Sequence, residues 1–478
     1  MSSTEVLREL KGKRLIGYTQ GNFGMSLLNI FTGSFVFQYY VYTINLDPAL
    51  ASIGLSFNIF ISAFFSIIFG VVTDNKKPGR FGKRRPFLLF ALPLWAITSI
   101  LIWFPPWYCP PSNSLFLPTA IYFWVITATR ALSGTLLFNT YLSILPEQSQ
   151  TLKNRHTVAS YRTFFMITAS TLSLFLPLLI QSLLPDPKNA KWFDPSGKII
   201  LFYIPLIASI LTVIGVAAIL VIFFSVDESF HLKNSKSYIE KVTLRDRIRQ
   251  MAQPAKDHKY RNMVITGVFM GISGNIFGFL LFPFQTFLLE FQKSEFLLYV
   301  FISIGGKFGW HIVWRLVIRK KSLITSYKLA SVFAAVASFT DLLFLMSNMP
   351  YFLKITLYIV SFGTILGTTY AVPLFGIPLG ATIIQEAAIN NRTSNLDETI
   401  SNISGSYYGF SQFVQSLGAA FSSIVIGLIL TGANQRNPVI ITVMFAMQSV
   451  FYLIAIVFIR RIKIEQPLSP EKTSLLKN

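Results

Sequence analysis

Arg130 and Lys307 each interrupt the middle of a long apolar run, the fourth and the eighth of the chain. A central Arg or Lys in a membrane-spanning helix costs about 2.5–3.5 kcal/mol, so each requires a partner, water or a task. Two cations at similar depth, one in each half of the chain, can clamp an anion. Arginine offers a planar fork for carboxylate or phosphate, and lysine a point charge. The structural alternative bonds Arg130 to backbone carbonyls or polar side chains, and pairs Lys307 with Asp341 or seats it in a wet pocket. His311 lies one helical turn from Lys307. Glu290 and Asp341 are the carboxylates within the runs, both toward the outer ends. Polar residues also recur at helical spacing: Asn22, Ser26, Asn29 and Gly33 in the first run, Asn58, Ser62 and Ser66 in the second, Gln412, Gln415 and Ser416 in the eleventh. The seventh carries Asn275 and Gln285. Such stripes can tie helices together; they are read here as the lining of a cavity, because polar groups facing lipid are costly.

The elements that must position these side chains are membrane helices. Of 478 residues, 53% are hydrophobic and only 13% charged, against roughly 25% charged in soluble domains. A spanning helix needs about 20 mostly apolar residues. That ruler finds runs at 15–42, 49–73, 86–104, 117–145, 163–184, 199–225, 263–290, 296–319, 324–347, 351–383, 403–430 and 438–459. The fold class is therefore all-α and integral to the membrane, with twelve transmembrane helices. The longest polar stretch follows the sixth run and divides the chain into a six-helix bundle over 1–225, a basic linker over 226–261, a second six-helix bundle over 262–460 and a tail over 461–478. Two halves joined in this way match transporters built from repeats. Pro283 in the seventh run, and Pro373, Gly376, Pro378 and Gly380 in the tenth, are expected to bend or break their helices.

The net charge of +21 does not mark a nucleic-acid binder, because the basic residues sit between apolar runs. With the N-terminus inside, 32 of the 41 Lys and Arg fall on inner segments and 6 on outer loops. This bias predicts both termini in the cytoplasm and a multi-pass protein of the cell membrane. The polar start Met1–Arg14 lacks the apolar core of a signal peptide. The single cysteine, Cys109, allows no internal disulfide, and four scattered histidines give no metal motif. The triplets beginning at Asn391 and Asn402 fall on the inner side, where glycosylation does not occur.

The second inner loop carries Gly70, Asp74, Gly79, Arg80, Gly82, Lys83, Arg84, Arg85 and Pro86. This pattern resembles the helix 2–3 loop of the major facilitator superfamily. Its Gly-Lys-Arg-Arg-Pro ending resembles the glycoside–pentoside–hexuronide:cation symporters, which include melibiose permease. Tyr141, Pro146, Glu147, Arg155, Ser160 and Arg162 are similar to a further motif of that family, with Thr140 where a proline is usual. Gly405, Tyr407 and Gly409 are similar to a third, with Ser404 in place of a glutamate. The resemblance implies the major facilitator fold, alternating access and a sugar or glycoside substrate. It also implies a cation site of carboxylates, but the two helix 2 positions fall on Ser62 and Ser66 and the helix 11 lysine on Ser416. The helix 4 acid falls at Phe138 or Asn139, and the sugar-binding aspartate near Ser26. Neutral hydroxyls supply dipoles but no charge to a hard cation, so sodium or proton coupling does not carry over residue by residue. Arg162 matches a position that holds sugar hydroxyls in the family.

These readings converge on a secondary transporter that moves a small polar organic solute, a sugar, glycoside or sugar acid. The substrate-binding set is Asn22, Ser26, Asn29, Arg130, Arg162, Asn275, Lys307, His311, Gln412 and Gln415. Expected partners are the small-molecule substrate, the lipid bilayer and a coupling ion, proton or sodium. No cofactor or nucleic acid is expected, and the chain is expected to act as a monomer. The residues leave open a sodium-independent exchanger or uniporter for an organic anion, a lysolipid carrier, and a receptor or scaffold of transporter ancestry. No catalytic pair or metal set marks an enzyme.

Overall fold

A computed structural model describes residues 8–77, 79–149, 152–228, 243, 245, 248–249, 252–346, 348–390 and 396–463. Most of the linker, Asn391, the end of the tail, and the side chains of Asp74, Glu147, Arg155, Asn402 and Ser404 lie outside the described residues.

Among the described residues, twelve long helical segments follow one another. The N-terminal half holds α1 (Gly12–Thr19 and Gly21–Gln38), α2 (Pro48–Asn75), α3 (Arg85–Leu101), α4 (Leu117–Gln148), α5 (Leu152–Ser182) and α6 (Pro195–Ser225). The second half holds α7 (His258–Pro283), α8 (Leu298–Lys320), α9 (Leu323–Thr340), α10 (Tyr351–Asn390), α11 (Leu396–Ile429) and α12 (Pro438–Ala446 and Gln448–Arg460). Among the described residues, ten segments are long and apolar enough to cross a membrane. To these add α3, apolar but 17 residues long, and α1, which jogs at Gln20. The Gln20 amide donates to the carbonyls of Gly17 and, across the bundle, Ala218.

Short polar residues start the helices. The Asp47 carboxylate accepts from the Ala49 N–H ahead of Pro48, Ser322 accepts from Thr325, and Asn437 accepts from Val439. Each satisfies a backbone donor that the helix itself leaves unpaired. Asp257 does the same for Lys259 and Tyr260, so α7 begins at His258, inside the stretch expected to be linker. The expected break in α10 does not occur. The helix runs unbroken past Pro373 and Pro378, with Phe375 buried and stacked on Tyr327 at 5.1 Å. Tertiary packing there overrides local preference.

The two halves share a feature that no sequence pattern announced. Both first helices end in a π-turn, Tyr39–Thr43 after α1 and Phe284–Leu288 after α7. Both turns are followed by a non-glycine residue at positive φ, Asn45 at 68° and Glu290 at 58°. The closing bonds correspond as well. Ile44 and Leu46 donate to Tyr39 and Tyr40, and Leu289 and Phe291 donate to Phe284 and Gln285. π-turns are rare outside functional positions, so the matched pair fixes the register between the repeats.

The halves meet through aromatic and polar contacts at the end where these turns lie. Phe35 packs on Phe282 at 5.2 Å, Phe37 on Phe279 at 4.6 Å and Tyr42 on Phe287 at 5.4 Å. The Tyr42 hydroxyl donates to the Gln435 carbonyl at 2.8 Å, and Lys188 pairs with Glu290 at 2.7 Å. Along the side of the molecule α2 lies against α11. Ser56 donates to the Ala420 carbonyl at 2.8 Å, and a Cβ on Gly427 would sit 2.0 Å from the Ser52 hydroxyl. That approach requires glycine.

Candidate functional site

Between the halves lies a cavity of about 210 Å³. Ile30, Gly33 and Ser34 of α1 and Leu174 of α5 form one wall. Gly274, Phe277, Gly278 and Leu281 of α7, Tyr299 of α8 and Leu366, Thr369 and Tyr370 of α10 form the other. A larger groove of about 620 Å³ runs between α8 and α10, where Gly305, Gly306 and Gly309 face Gly363. It lies within the second half, with Phe301 and Val360 exposed beside it, as a lipid-facing surface would have them.

Arg130 is buried within the N-terminal half. Its Nε donates to the Ser99 hydroxyl at 3.2 Å, and one terminal nitrogen donates to Asn29 Oδ1 at 2.9 Å and the Leu28 carbonyl at 3.5 Å. The guanidinium thus ties α4 to α3 and α1, and it holds Asn29, itself exposed, one turn from Gly33 of the cavity wall. Lys307 is different. Its Nζ is buried without a hydrogen-bond partner and lies 4.0 Å from the centroid of the Tyr370 ring. Asp341, a possible partner by sequence, is fully buried elsewhere and accepts from Ser361. Its pairing with Lys307 is therefore corrected: the end of α9 holds Asp341 against α10 instead. Arg130 and Lys307 share no partner.

Other residues of the expected set mostly bond between helices. Asn22 donates to the Arg162 carbonyl at 3.0 Å, and the Arg162 guanidinium lies 5.0 Å from the Tyr141 ring centroid. Asn275 donates to Ser422 and the Ala419 carbonyl, both at 2.9 Å, tying α7 to α11. Gln415 donates to Ser411 at 2.7 Å. Ser66 exchanges bonds with Asn139 at 3.0–3.3 Å, so two of the positions aligned with carboxylates hold each other. Ser26, Ser62 and Ser416 are partly buried, and Gln412 and His311 are exposed.

The helix 2–3 loop has its own geometry. Gly79 and Gly82 exchange backbone bonds at 3.1 and 2.8 Å. Gly82 has φ +90°, and a Cβ there would lie 2.0 Å from a Glu228 carboxylate oxygen. Glu228 accepts from the Arg84 and Arg85 backbone N–H groups at 3.0 and 3.3 Å, capping α3 just ahead of Pro86. Arg85 lies 4.3 Å from the Phe223 ring centroid and Arg80 5.9 Å from that of Phe81. Gly70 stands in α2 with open space around it. Glu228 was missed in sequence because nothing local distinguishes it. Thr369 and Tyr370 were missed although they stand together in the middle of the tenth run, a polar pair that could have been noticed.

At the aromatic end, the hydrogen bond from Lys188 holds the Glu290 carboxyl below the usual carboxylate range. Burial pushes the Cys109 thiol up to about 11.

Twelve helices in two six-helix bundles, with a cavity lined from both, define a membrane transporter of the major facilitator type. Residues 17–466 match the family described as MFS/sugar transport protein, and the chain belongs to that family. It is not an enzyme family. An uncharacterised symporter of Synechocystis is 25% identical over 39% of this chain. The match spans 34% of that relative's length. Among solved structures, the nucleoside transporter NupG superposes with a TM-score of 0.61 at 13% identity, covering 95% of this chain and 100% of its own. A D-xylose–proton symporter gives 0.59 at 15% identity, covering 92% and 96%. The inward-open xylose transporter XylE of E. coli gives 0.59 at 12% identity, covering 97% and 98%. These likenesses carry the fold.

Proposed function

We propose that the chain moves a small polar organic solute of the sugar class across the cell membrane by alternating access. The observation that carries this reading is the cavity between the halves, with Ser34, Thr369, Tyr299 and Tyr370 among its lining residues. Hydroxyl and phenol groups on a mostly apolar wall suit a solute rich in hydroxyls. The boundaries 1–225, 226–261, 262–460 and 461–478 are read as two rocking bundles, their linker and a tail, with α7 already starting at His258 near the linker's end. Family membership and the sugar and nucleoside transporters of similar fold support the substrate class. The Synechocystis relative supports symport. Against sodium as the coupling ion stand Ser62, Ser66 and Ser416, which bring no formal charge.

Uptake of labelled sugars into proteoliposomes tests the reading. Flux of at least one sugar, little changed when sodium is replaced, is expected. Steep sodium stimulation abolished by Ser62→Ala would overturn the sodium-independent part, and absence of flux for every solute would remove the transport reading.

The charge bias supports termini in the cytoplasm and the Lys188–Glu290 end outside. Cys109 is a poor reporter, because a buried thiol with a raised pKa reacts slowly. In a Cys109→Ser background, Ser112→Cys should take up an impermeant maleimide on intact cells. Lys321→Cys should label only after permeabilisation. The reverse pattern inverts the topology.

A further inference from the structure

We infer that Lys307 is the anchor for an anionic group on the transported solute, with Tyr370 holding its ammonium while the site is empty. This rests on the transport reading above and names the charge of its substrate.

An ammonium has three N–H donors and no acceptor. Here none of the three finds a hydrogen-bond acceptor, and the group is buried. What it has is the face of Tyr370, 4.0 Å away, and a ring quadrupole attracts a cation without accepting its N–H groups as an oxygen would. Tyr370 borders the cavity and is 43% exposed, so one ring joins the buried ammonium to the space between the halves. A carboxylate or phosphate oxygen entering from the cavity supplies the missing acceptor and the missing charge together.

The repeat register gives an independent argument. The displacement that carries Tyr39–Thr43 onto Phe284–Leu288, and Asn45 onto Glu290, continues into the following helices. It carries Ser62 onto Lys307 and Ser66 onto His311. The two neutral hydroxyl positions of α2 therefore correspond to an ammonium and an imidazole on α8. His311 and Arg315 follow Lys307 at four-residue spacing, and both are exposed. Among the described residues, none of the three forms an ion pair with a carboxylate. A helix face with this sequence of groups attracts anions along its length. Arg130 is engaged otherwise, its Nε bonded to Ser99 and one terminal nitrogen to Asn29 and the Leu28 carbonyl.

The test measures binding to the purified full chain by calorimetry and thermal stabilisation. The probes are D-glucuronate, glucose 6-phosphate, inorganic phosphate and neutral D-glucose. At least one anion should bind the parent more tightly than glucose does. Lys307→Gln should weaken that anion about 10- to 150-fold, the loss of one charge-assisted hydrogen bond, and weaken glucose much less. Lys307→Arg should restore most of the affinity. The balance between glucuronate and glucose 6-phosphate tells carboxylate from phosphate. Equal anion affinity in parent and Lys307→Gln overturns the inference, and so does failure of every anion to bind. If neutral sugar still crosses the membrane in that case, the transport reading stands alone. If no solute crosses at all, that reading falls as well.

Discussion

Arg130 in α4 and Lys307 in α8 pose the same problem to the membrane and are handled in opposite ways. Arg130 reaches three acceptors on two neighbouring helices, and its planar fork spans the gap between them. Lys307 reaches none and leans on an aromatic ring. A satisfied buried cation fixes the packing of the elements that supply its acceptors. An unsatisfied one leaves free energy to be gained by whatever ligand completes it. The N-terminal half thus uses its cation to position α1, whose Asn29 and Gly33 stand beside the cavity, and the second half keeps its cation available.

The contrast predicts opposite effects on stability. Arg130→Met should destabilise the chain by about 2–5 kcal/mol, because Asn29, Ser99 and the Leu28 carbonyl all lose a charged donor. Lys307→Met should leave the apo protein unchanged or more stable, since it removes a buried cation that nothing accepts. Thermal unfolding in detergent, followed by tryptophan fluorescence, reads both. Two equal losses would erase the distinction.

A smaller effect sharpens the first arm. Asn29→Ala removes the shortest of Arg130's bonds and should cost about 1–3 kcal/mol, with substrate affinity falling as α1 loosens. If Asn29→Ala were neutral while Arg130→Met remained severe, Ser99 and the Leu28 carbonyl would carry the tie.

The smallest effect belongs to the ion pair that joins the two halves. Lys188 and Glu290 are both well exposed, so their pairing contributes about 0–1 kcal/mol to the closed end. Because Lys188 lowers the Glu290 pKa, that contribution is present above the usual glutamate range and is lost as pH falls through the lowered value. Shifting pH from 8 to 6 should therefore leave the closed end unaffected. Glu290→Gln should open it slightly at either pH, read as faster maleimide labelling of Ser34→Cys in a Cys109→Ser background. A response centred near neutral pH would assign the gate to another group.

Where the sequence was legible, the reason was periodicity. Twelve apolar runs and the six-plus-six division follow from spacing, because membrane helices must satisfy their own backbone and expose apolar side chains; the loop motif was legible as a family resemblance. Of the stripe Asn22, Ser26, Asn29 and Gly33, Gly33 lines the cavity. Asn22 and Asn275 turned out to bond across helices, because an amide fits a neighbour's carbonyl as readily as a solute. One strand of charge information was also clear: the bias in basic residues predicts orientation through loop composition alone.

What the sequence determined by itself was the kind of protein: a chain too apolar for water, cut into spanning lengths, with two cations stranded at mid-depth. Tertiary structure decided what each cation does. The partners of Arg130 lie 31 to 102 residues away in sequence, and the ring over Lys307 belongs to a different helix, so no local pattern could assign either role. The unbroken path of α10 past Pro373 and Pro378, and the Glu228 carboxylate seated against Gly82, were decided in the same way. Both depend on which surfaces meet once the helices pack, and packing is a property of the assembled bundle rather than of any one run.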